Sequence, residues 1–185
     1  LSVAHTLSGE NKPMEFFALI RHRHSIRAFT AQGIEPEKIQ AILEAANAAP
    51  SAGNLQGYEI FAVTNREVLC ALMRASYEQE FIAQAPIALV FCAHPARSAI
   101  KYGERGIQLY CLQDATIACA YAQLAATALG LASVWVGAFD DDVVRTAIGI
   151  GKDLRPVAIL PIGYPGKQPK IRPRRELDDL VHWVK

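Results

Sequence analysis

Residues Gln108 to Leu129 read as one long helix, with Gly130 placed as the residue that ends it. Nearly every turn is apolar or alanine, and the polar members Gln108, Gln113, Asp114 and Gln123 do not form one continuous solvated face. A helix that is apolar all round has to be covered all round. A chain of 185 residues has trouble doing that alone, so the natural cover is a second copy, giving a homodimer with this helix at its centre. The most apolar part, Ile117 to Leu131, is too short to span a bilayer and is interrupted by Gln123.

The remaining pattern predicts a layered core. Pro36 suits the first turn of a helix whose apolar positions Ile39, Ile42, Leu43 and Ala46 recur at helical spacing and stop before Pro50. Tyr58 to Val63 reads as a strand. Thr64-Asn65-Arg66-Glu67 matches a capping box opening a helix toward Arg74. Ile87 to Ala93 is an unbroken apolar run with the length of a fully buried strand, and Ala132 to Val136 and Val157 to Ile162 supply two more. Asp140 to Asp142 form an acidic start for a helix from Val143 to Ile148. Residues 1–13 are polar and mixed, and are expected to be an arm or an expression remnant ahead of a single domain, 14–185.

Net charge is +1 with histidines neutral, so no bulk attraction to nucleic acid or an anionic membrane is expected. The four cysteines, Cys70, Cys92, Cys111 and Cys119, lie in apolar surroundings without metal-ligand spacing, the pattern of reduced thiols in a cytoplasmic protein. No metal site is expected.

Positive charge is concentrated locally instead. Arg21 to Arg27 hold three arginines, two histidines and Ser25. If the preceding amphipathic run from Met14 to Ile20 continues as helix, Arg23 and Arg27 share a face with Ser25 close by. That cluster suits a phosphate, and it equally suits a solvated helix end. A second group, Lys170, Arg172, Arg174 and Arg175, lies in an extended tail before Leu177, Leu180, Val181 and Trp183, which have the look of an anchor. Between the two, Pro50-Ser51-Ala52-Gly53-Asn54-Leu55-Gln56 is a loop rich in backbone donors. No nucleophile elbow, metal-spaced histidine pair or dinucleotide glycine fingerprint is present, and neither His94 nor His182 has a partner at a readable spacing. A phosphate site without a nucleophile points to chemistry carried by a bound cofactor.

Taken in order, several pieces resemble the FMN-dependent nitroreductase family. They are Arg23-His24-Ser25-Ile26-Arg27, Pro50 to Gln56, Gln79 ahead of Ala85-Pro86, Tyr102-Gly103-Glu104-Arg105-Gly106 leading to Leu112-Gln113-Asp114, Gly130-Leu131 before Trp135-Val136-Gly137, Gly163-Tyr164-Pro165, and Arg174-Arg175-Glu176-Leu177. The resemblance runs from Met14 to the end. It implies that Arg23 and Ser25, with His24 between them, hold the FMN phosphate and ribityl chain, and that Arg174, beside Arg172, is a C-terminal phosphate arginine. By the same resemblance Arg27 is a cation at the flavin N1 and O2 edge, and Val136 and Gly137 are backbone near N5 and O4. Pro50, Ser51 and Asn54 match a loop lying over the ring, offered by the partner subunit. Gln56-Gly57-Tyr58 departs from the family's frequent Gln-Pro-Trp, which implies a looser wall there. The family's lysine near Phe81 is absent, leaving Gln79 for the pyrimidine edge.

The expected fold is therefore α+β, a mixed or antiparallel sheet of four to five strands flanked by helices, in an intertwined homodimer whose tails reach across. The expected function is an FMN-dependent oxidoreductase that passes hydride from NAD(P)H through flavin N5 to an electrophilic small molecule such as a nitroaromatic or quinone. The alternatives are a flavin-dependent reductive dehalogenase, a metabolite dehydrogenase, or a non-catalytic FMN-binding protein.

Overall fold

The computed structural model of the chain describes residues 15–168 and 171–184; the expected arm 1–13 and the tail cation Lys170 lie outside them. Helix α1 (Phe16–His22) is followed by an extended segment, then by α2 (Pro36–Asn47), with proline in its first turn as expected. Strand β1 (Tyr58–Val63) leads to α3 (Arg66–Ala75) and the single turn α4 (Phe81–Gln84). Asn65, rather than Thr64, caps α3, its side-chain oxygen accepting from the N–H groups of Glu67 and Val68 at 2.9 and 3.2 Å. Then come β2 (Ile87–Ala93), α5 (Pro95–Arg105), α6 (Cys111–Ala128), β3 (Ala132–Ser133), α7 (Asp141–Ile148) and β4 (Arg155–Gly163).

The strands form one antiparallel sheet in the order β1-β2-β4-β3, with helices on both faces, which is the α+β architecture expected. Every residue of β2 is buried, and its alternation explains why it must be apolar throughout. Leu89 and Phe91 face α2 and α6 together with Leu160 and Ile162, whereas Val90 and Cys92 face α3 and α7 together with Ile159. The cysteines are free thiols, and burial pushes Cys92 up to about 12 and raises Cys119 and Cys111 as well, so none of these three offers a thiolate at neutral pH.

Two elements differ from the sequence reading. The expected strand Ala132 to Val136 is hydrogen-bonded as a strand only over Ala132–Ser133, although Val136 bridges Ile159 in unbroken register with the pairs Ala132–Gly163 and Ser133–Ile162. That register sets Val134 opposite Pro161, which has no N–H to donate, so the ladder lapses for one step and resumes at Val136. The long helix is also divided. It begins at Cys111 behind a π-helical turn, Gly106–Tyr110, and the preceding α5 was not anticipated. Gly103, at φ 53° and ψ −137°, breaks α5 in a conformation open to glycine.

Helix α6 packs on the sheet through Ala115, Ala118, Cys119, Ala122 and Ala126, small residues that allow close approach. Its other side, with Gln113, Thr116, Ala120, Tyr121 and Ala128, is exposed in the single chain.

Candidate functional site

The cationic segment does not continue as helix. Arg23 is the C-cap of α1 with extended φ and ψ of −65° and 118°, and the chain then runs beside β3, where the Ile26 N–H donates to the Ser133 carbonyl at 3.1 Å. Both geometries keep Arg23 and Arg27 together, because 23, 25 and 27 share one side of an extended chain. Alternation also separates His24 from them. With His22 and Ile26 it lines a cavity of about 320 Å³ at the C-terminal end of α6, beside Thr127, Gly130 and Leu131.

Ser25 bridges Ser133 in parallel, so Arg27 runs level with Trp135, one residue before Val136. Val136 is locked by reciprocal 2.9 Å bonds with Ile159, and Gly137 follows it as exposed backbone. Gln79 arrives from the far side, its amide donating to the carbonyls of Ser76 at 3.0 Å and Ala138 at 3.4 Å. One continuous strip therefore carries Arg23, Ser25, Arg27, Val136, Gly137 and Gln79. Its arginines span about 13 Å at ~3.3 Å per extended residue.

At the head of that strip, burial and then the positive charge of Arg174 lower the Arg23 guanidinium from its ordinary value. Two like charges are thus held near each other, and among the described residues the ion pairs involve Lys38, Arg145 and Arg155, not these two. Guanidinium pairs without a carboxylate suit a phosphate, so the residues present fit the cofactor that the resemblance implies. Arg172 and Arg174 are exposed. Arg175 is engaged locally, donating to the Asp179 carbonyl at 2.6 Å. The expected anchor is not seated within the chain, since Leu177 is 72% and Trp183 86% exposed.

The third group lies elsewhere. The loop from Pro50 to Gly57 is tied to the N-terminal turn of α6 by Asp114, which is 2% exposed. Its two carboxylate oxygens accept from Ala52 N–H at 2.9 Å and Gly57 N–H at 3.2 Å, while Ser51 Oγ accepts from Gln56 N–H at 3.0 Å. Those bonds hold Gly53 and Asn54 at φ 57° and 58°, which glycine and asparagine tolerate. An open groove of about 560 Å³ runs beside the loop, lined by Pro50, Ser51, Ala52, Tyr110 and Gln113. Asp114 and Thr127 mark opposite ends of α6, roughly 20 Å apart at about 1.5 Å per residue. Within one chain, Pro50, Ser51 and Asn54 therefore do not meet the arginines.

Sequence reasoning gave Asp114 no role. The signal was available: it is the only charged residue between Cys111 and Ala128, and a lone acid in an apolar helix needs donors. The wall beyond the loop is also tighter than the departure from Gln-Pro-Trp implied. Tyr58 is buried with its hydroxyl donating to the Ala46 carbonyl at 3.1 Å, and the place of a Gly57 side chain is taken by Ser98 Oγ, with Asp114 Oδ2 at 3.1 Å. Proline at 57 would delete the N–H that Asp114 accepts. Gly57→Ala is expected to cost about 2 kcal/mol by overpacking against Ser98. Ser98 Oγ is buried without a partner among the described residues, so adding Ser98→Ala recovers most of that loss. Thermal unfolding of the two single variants and the double variant checks this, and an additive double variant contradicts it.

Comparisons with known proteins give the family and the fold. A profile described as the nitroreductase family matches residues 20–79 and 71–164. A protein of Archaeoglobus fulgidus whose name gives both NADH dehydrogenase and NAD(P)H nitroreductase is 33% identical over 155 residues, covering 82% of this chain and 86% of its own. The structure of the NADPH:FMN oxidoreductase from Vibrio harveyi, complexed with NAD+, superposes with a TM-score of 0.84 at 28% identity, over 91% of this chain and 76% of that one. An FMN-dependent nitroreductase from Clostridium difficile R20291 gives 0.77 at 27% identity, over 91% and 99%.

Proposed function

The chain belongs to the nitroreductase family, and from that premise we propose how its own residues run the chemistry. It is an FMN-dependent oxidoreductase that takes reducing equivalents from NAD(P)H and delivers them to an electrophilic small molecule. The observation that carries the residue assignment is the Ser25 to Gly137 strip with half-buried Arg23 at its head, an arginine that makes no ion pair among the described residues.

FMN, when bound, supplies the hydride transfer at N5. Arg23 and Arg174 would hold the phosphate, and the Ser25 hydroxyl would hydrogen-bond the ribityl chain. Arg27, four residues along the strip, would hold a fixed positive charge beside the flavin's pyrimidine edge and stabilise the negative charge of the reduced cofactor. Gly137 brings its backbone close because it has no side chain, and Gln79 is held beside it by Ala138. No residue of the strip acts as a nucleophile.

The loop with Pro50, Ser51 and Asn54 completes the site from a second copy. Two chains packed antiparallel through the exposed side of α6 bring the Asp114 end of one to the Arg23 end of the other. The exposed tail residues Leu177 and Trp183 have their seat on the same partner. We read 14–185 as one domain, because both core clusters share one sheet. The unpaired thiols fit a cytoplasmic setting, and among the described residues no helix is long and apolar enough to cross a membrane.

The test is the visible spectrum of the purified protein, identification of the flavin released on denaturation, and anaerobic addition of NADH or NADPH. Released FMN that bleaches with either nucleotide is the expected result. Bound FMN that neither reduces would make this a non-catalytic flavin protein, and a colourless protein that takes up no FMN would sink the reading. In the same assay Arg27→Ala slows bleaching at least about tenfold while flavin occupancy stays near wild type, as loss of one transition-state charge contact implies. Equal loss of both would count against its role at the N1 edge.

A further inference from the structure

The chain leaving β4, Gly163-Tyr164-Pro165-Gly166, lies outside the arginine strip, yet it fastens the segment immediately after Arg27. Phe29 and Pro165 face each other as an antiparallel bridge. The bonds lie on either side of that pair: Thr30 N–H donates to the Tyr164 carbonyl at 3.0 Å, and Gly166 N–H donates to the Ala28 carbonyl at 2.8 Å. A residue in such a pair makes no ladder bond of its own, so the missing N–H of Pro165 leaves nothing unsatisfied there. Upstream, Ile26 N–H donates to the Ser133 carbonyl at 3.1 Å. Arg27 therefore stands between two main-chain fastenings, one residue away on each side.

The downstream fastening has little slack. A side-chain carbon at Gly166 would lie 3.2 Å from the carbonyl carbons of Ala28 and Phe29 and 3.3 Å from the Ala28 oxygen, all of them main-chain atoms. Phe29 is seated in turn against Gly163, where an added carbon would meet Phe29 Cδ1 at 3.0 Å and Pro86 Cδ at 2.9 Å. The Tyr164 hydroxyl donates to the Glu35 carboxylate at 2.7 and 2.9 Å and accepts from Lys38 Nζ at 2.6 Å, which closes the far end of the segment against the start of α2. Arg27 itself is exposed, and among the described residues it makes no ion pair that would hold its guanidinium. Its place is set by the main chain around it.

We propose that Gly166, with the Tyr164 clasp behind it, is a positioning residue for Arg27: its bare Cα lets the turn lie against the Ala28–Phe29 peptide at the spacing that sets the guanidinium beside the pyrimidine edge of FMN, and so tunes the reduction potential of the bound cofactor. This rests on the flavin reading of the strip. A methyl group at 166 has to push that peptide away by a few tenths of an ångström. Because Ser133 holds Ile26 in place, the displacement falls on Arg27. A cation moved from its place stabilises the negative charge of the reduced flavin less.

Anaerobic redox titration of the FMN-loaded protein, with fluorescence titration of oxidised FMN onto the apoprotein, would compare wild type, Gly166→Ala, Arg27→Ala and the double variant. A misplacement of about 1 Å can cost roughly a hundredfold, so one of a few tenths is expected to slow bleaching by NADH or NADPH about threefold. The preference for reduced over oxidised FMN drops in the same proportion, a fall of about 14 mV for a two-electron couple, while affinity for the oxidised cofactor stays near wild type. Because Gly166 acts through Arg27, adding Gly166→Ala to Arg27→Ala lowers the potential no further. An additive fall in the double variant would give Gly166 a general role in the fold and overturn the proposal, as would an unchanged potential in Gly166→Ala. Where Gly166→Ala does not fold, Tyr164→Phe, which keeps the main-chain bonds and loses only the clasp, takes the same test alone and with Arg27→Ala, and the same outcomes decide. A wild type that takes up no FMN brings down the flavin reading and this proposal with it. A wild type that binds and reduces FMN beside a silent variant brings down the proposal alone.

Discussion

Asp114→Ala lowers the melting temperature by about 4–24 °C and removes most turnover, although Asp114 does not lie on the arginine strip. Its carboxylate accepts the N–H groups of Ala52 and Gly57, so the substitution strips both partners at once from donors at the loop's two ends. Leaving such donors unmade costs about 1–3 kcal/mol each, and a chain of this size loses roughly 2–4 °C per kcal/mol. Asp114→Asn preserves one acceptor oxygen and sets an amide against the other N–H, so it falls between wild type and alanine. Thermal unfolding and steady-state kinetics on both variants check the order. A normal melting temperature for the alanine variant would remove Asp114 from its place as the loop's fastening.

Arg23→Ala has the opposite profile. The apoprotein unfolds at or slightly above the wild-type temperature, because the substitution relieves the repulsion from Arg174, while the dissociation constant for FMN rises on the order of a hundredfold for loss of a guanidinium–phosphate contact. Flavin fluorescence titration and apoprotein melting measure the two effects separately. Full flavin occupancy in the variant would contradict the phosphate role. The same variant tests whether the site is shared between subunits. Mixed one to one with Asp114→Asn and reassembled, half of the dimers are hybrids with one unaltered site each, so about a quarter of wild-type sites return. A site built within one chain would recover nothing on mixing.

Much of the fold was legible because its signals are local. The Ile87 to Ala93 run needs no context to be read as a strand buried on both faces, and Pro36 announces the first turn of α2. What was not legible depends on partners distant in sequence. Ser133 converts the segment after Arg23 from helix to extended chain by accepting the Ile26 N–H, and nothing near residue 26 foretells it. Pro161 interrupts β3 from across the sheet. Arg23 and Arg27 fall on one side of the chain in helix and extended segment alike, because periods of two and of four both return Arg27 to the side of Arg23. His24, which falls on the other side, shows where that coincidence ends. The resemblance implied that the loop is offered by the partner subunit, and within the single chain it lies at the opposite end of α6 from the arginines.

That separation turns α6 into a measuring rod. Each residue added to or deleted from a helix shifts everything beyond it by about 1.5 Å and turns it by about 100°. In the proposed dimer, a length change between Asp114 and Thr127 would leave a sound helix whose two ends no longer face the matching ends of a second copy. Side chains along α6 can therefore drift within the limits of packing, but its residue count cannot, and a lineage lengthening this fold has to add its residues somewhere else.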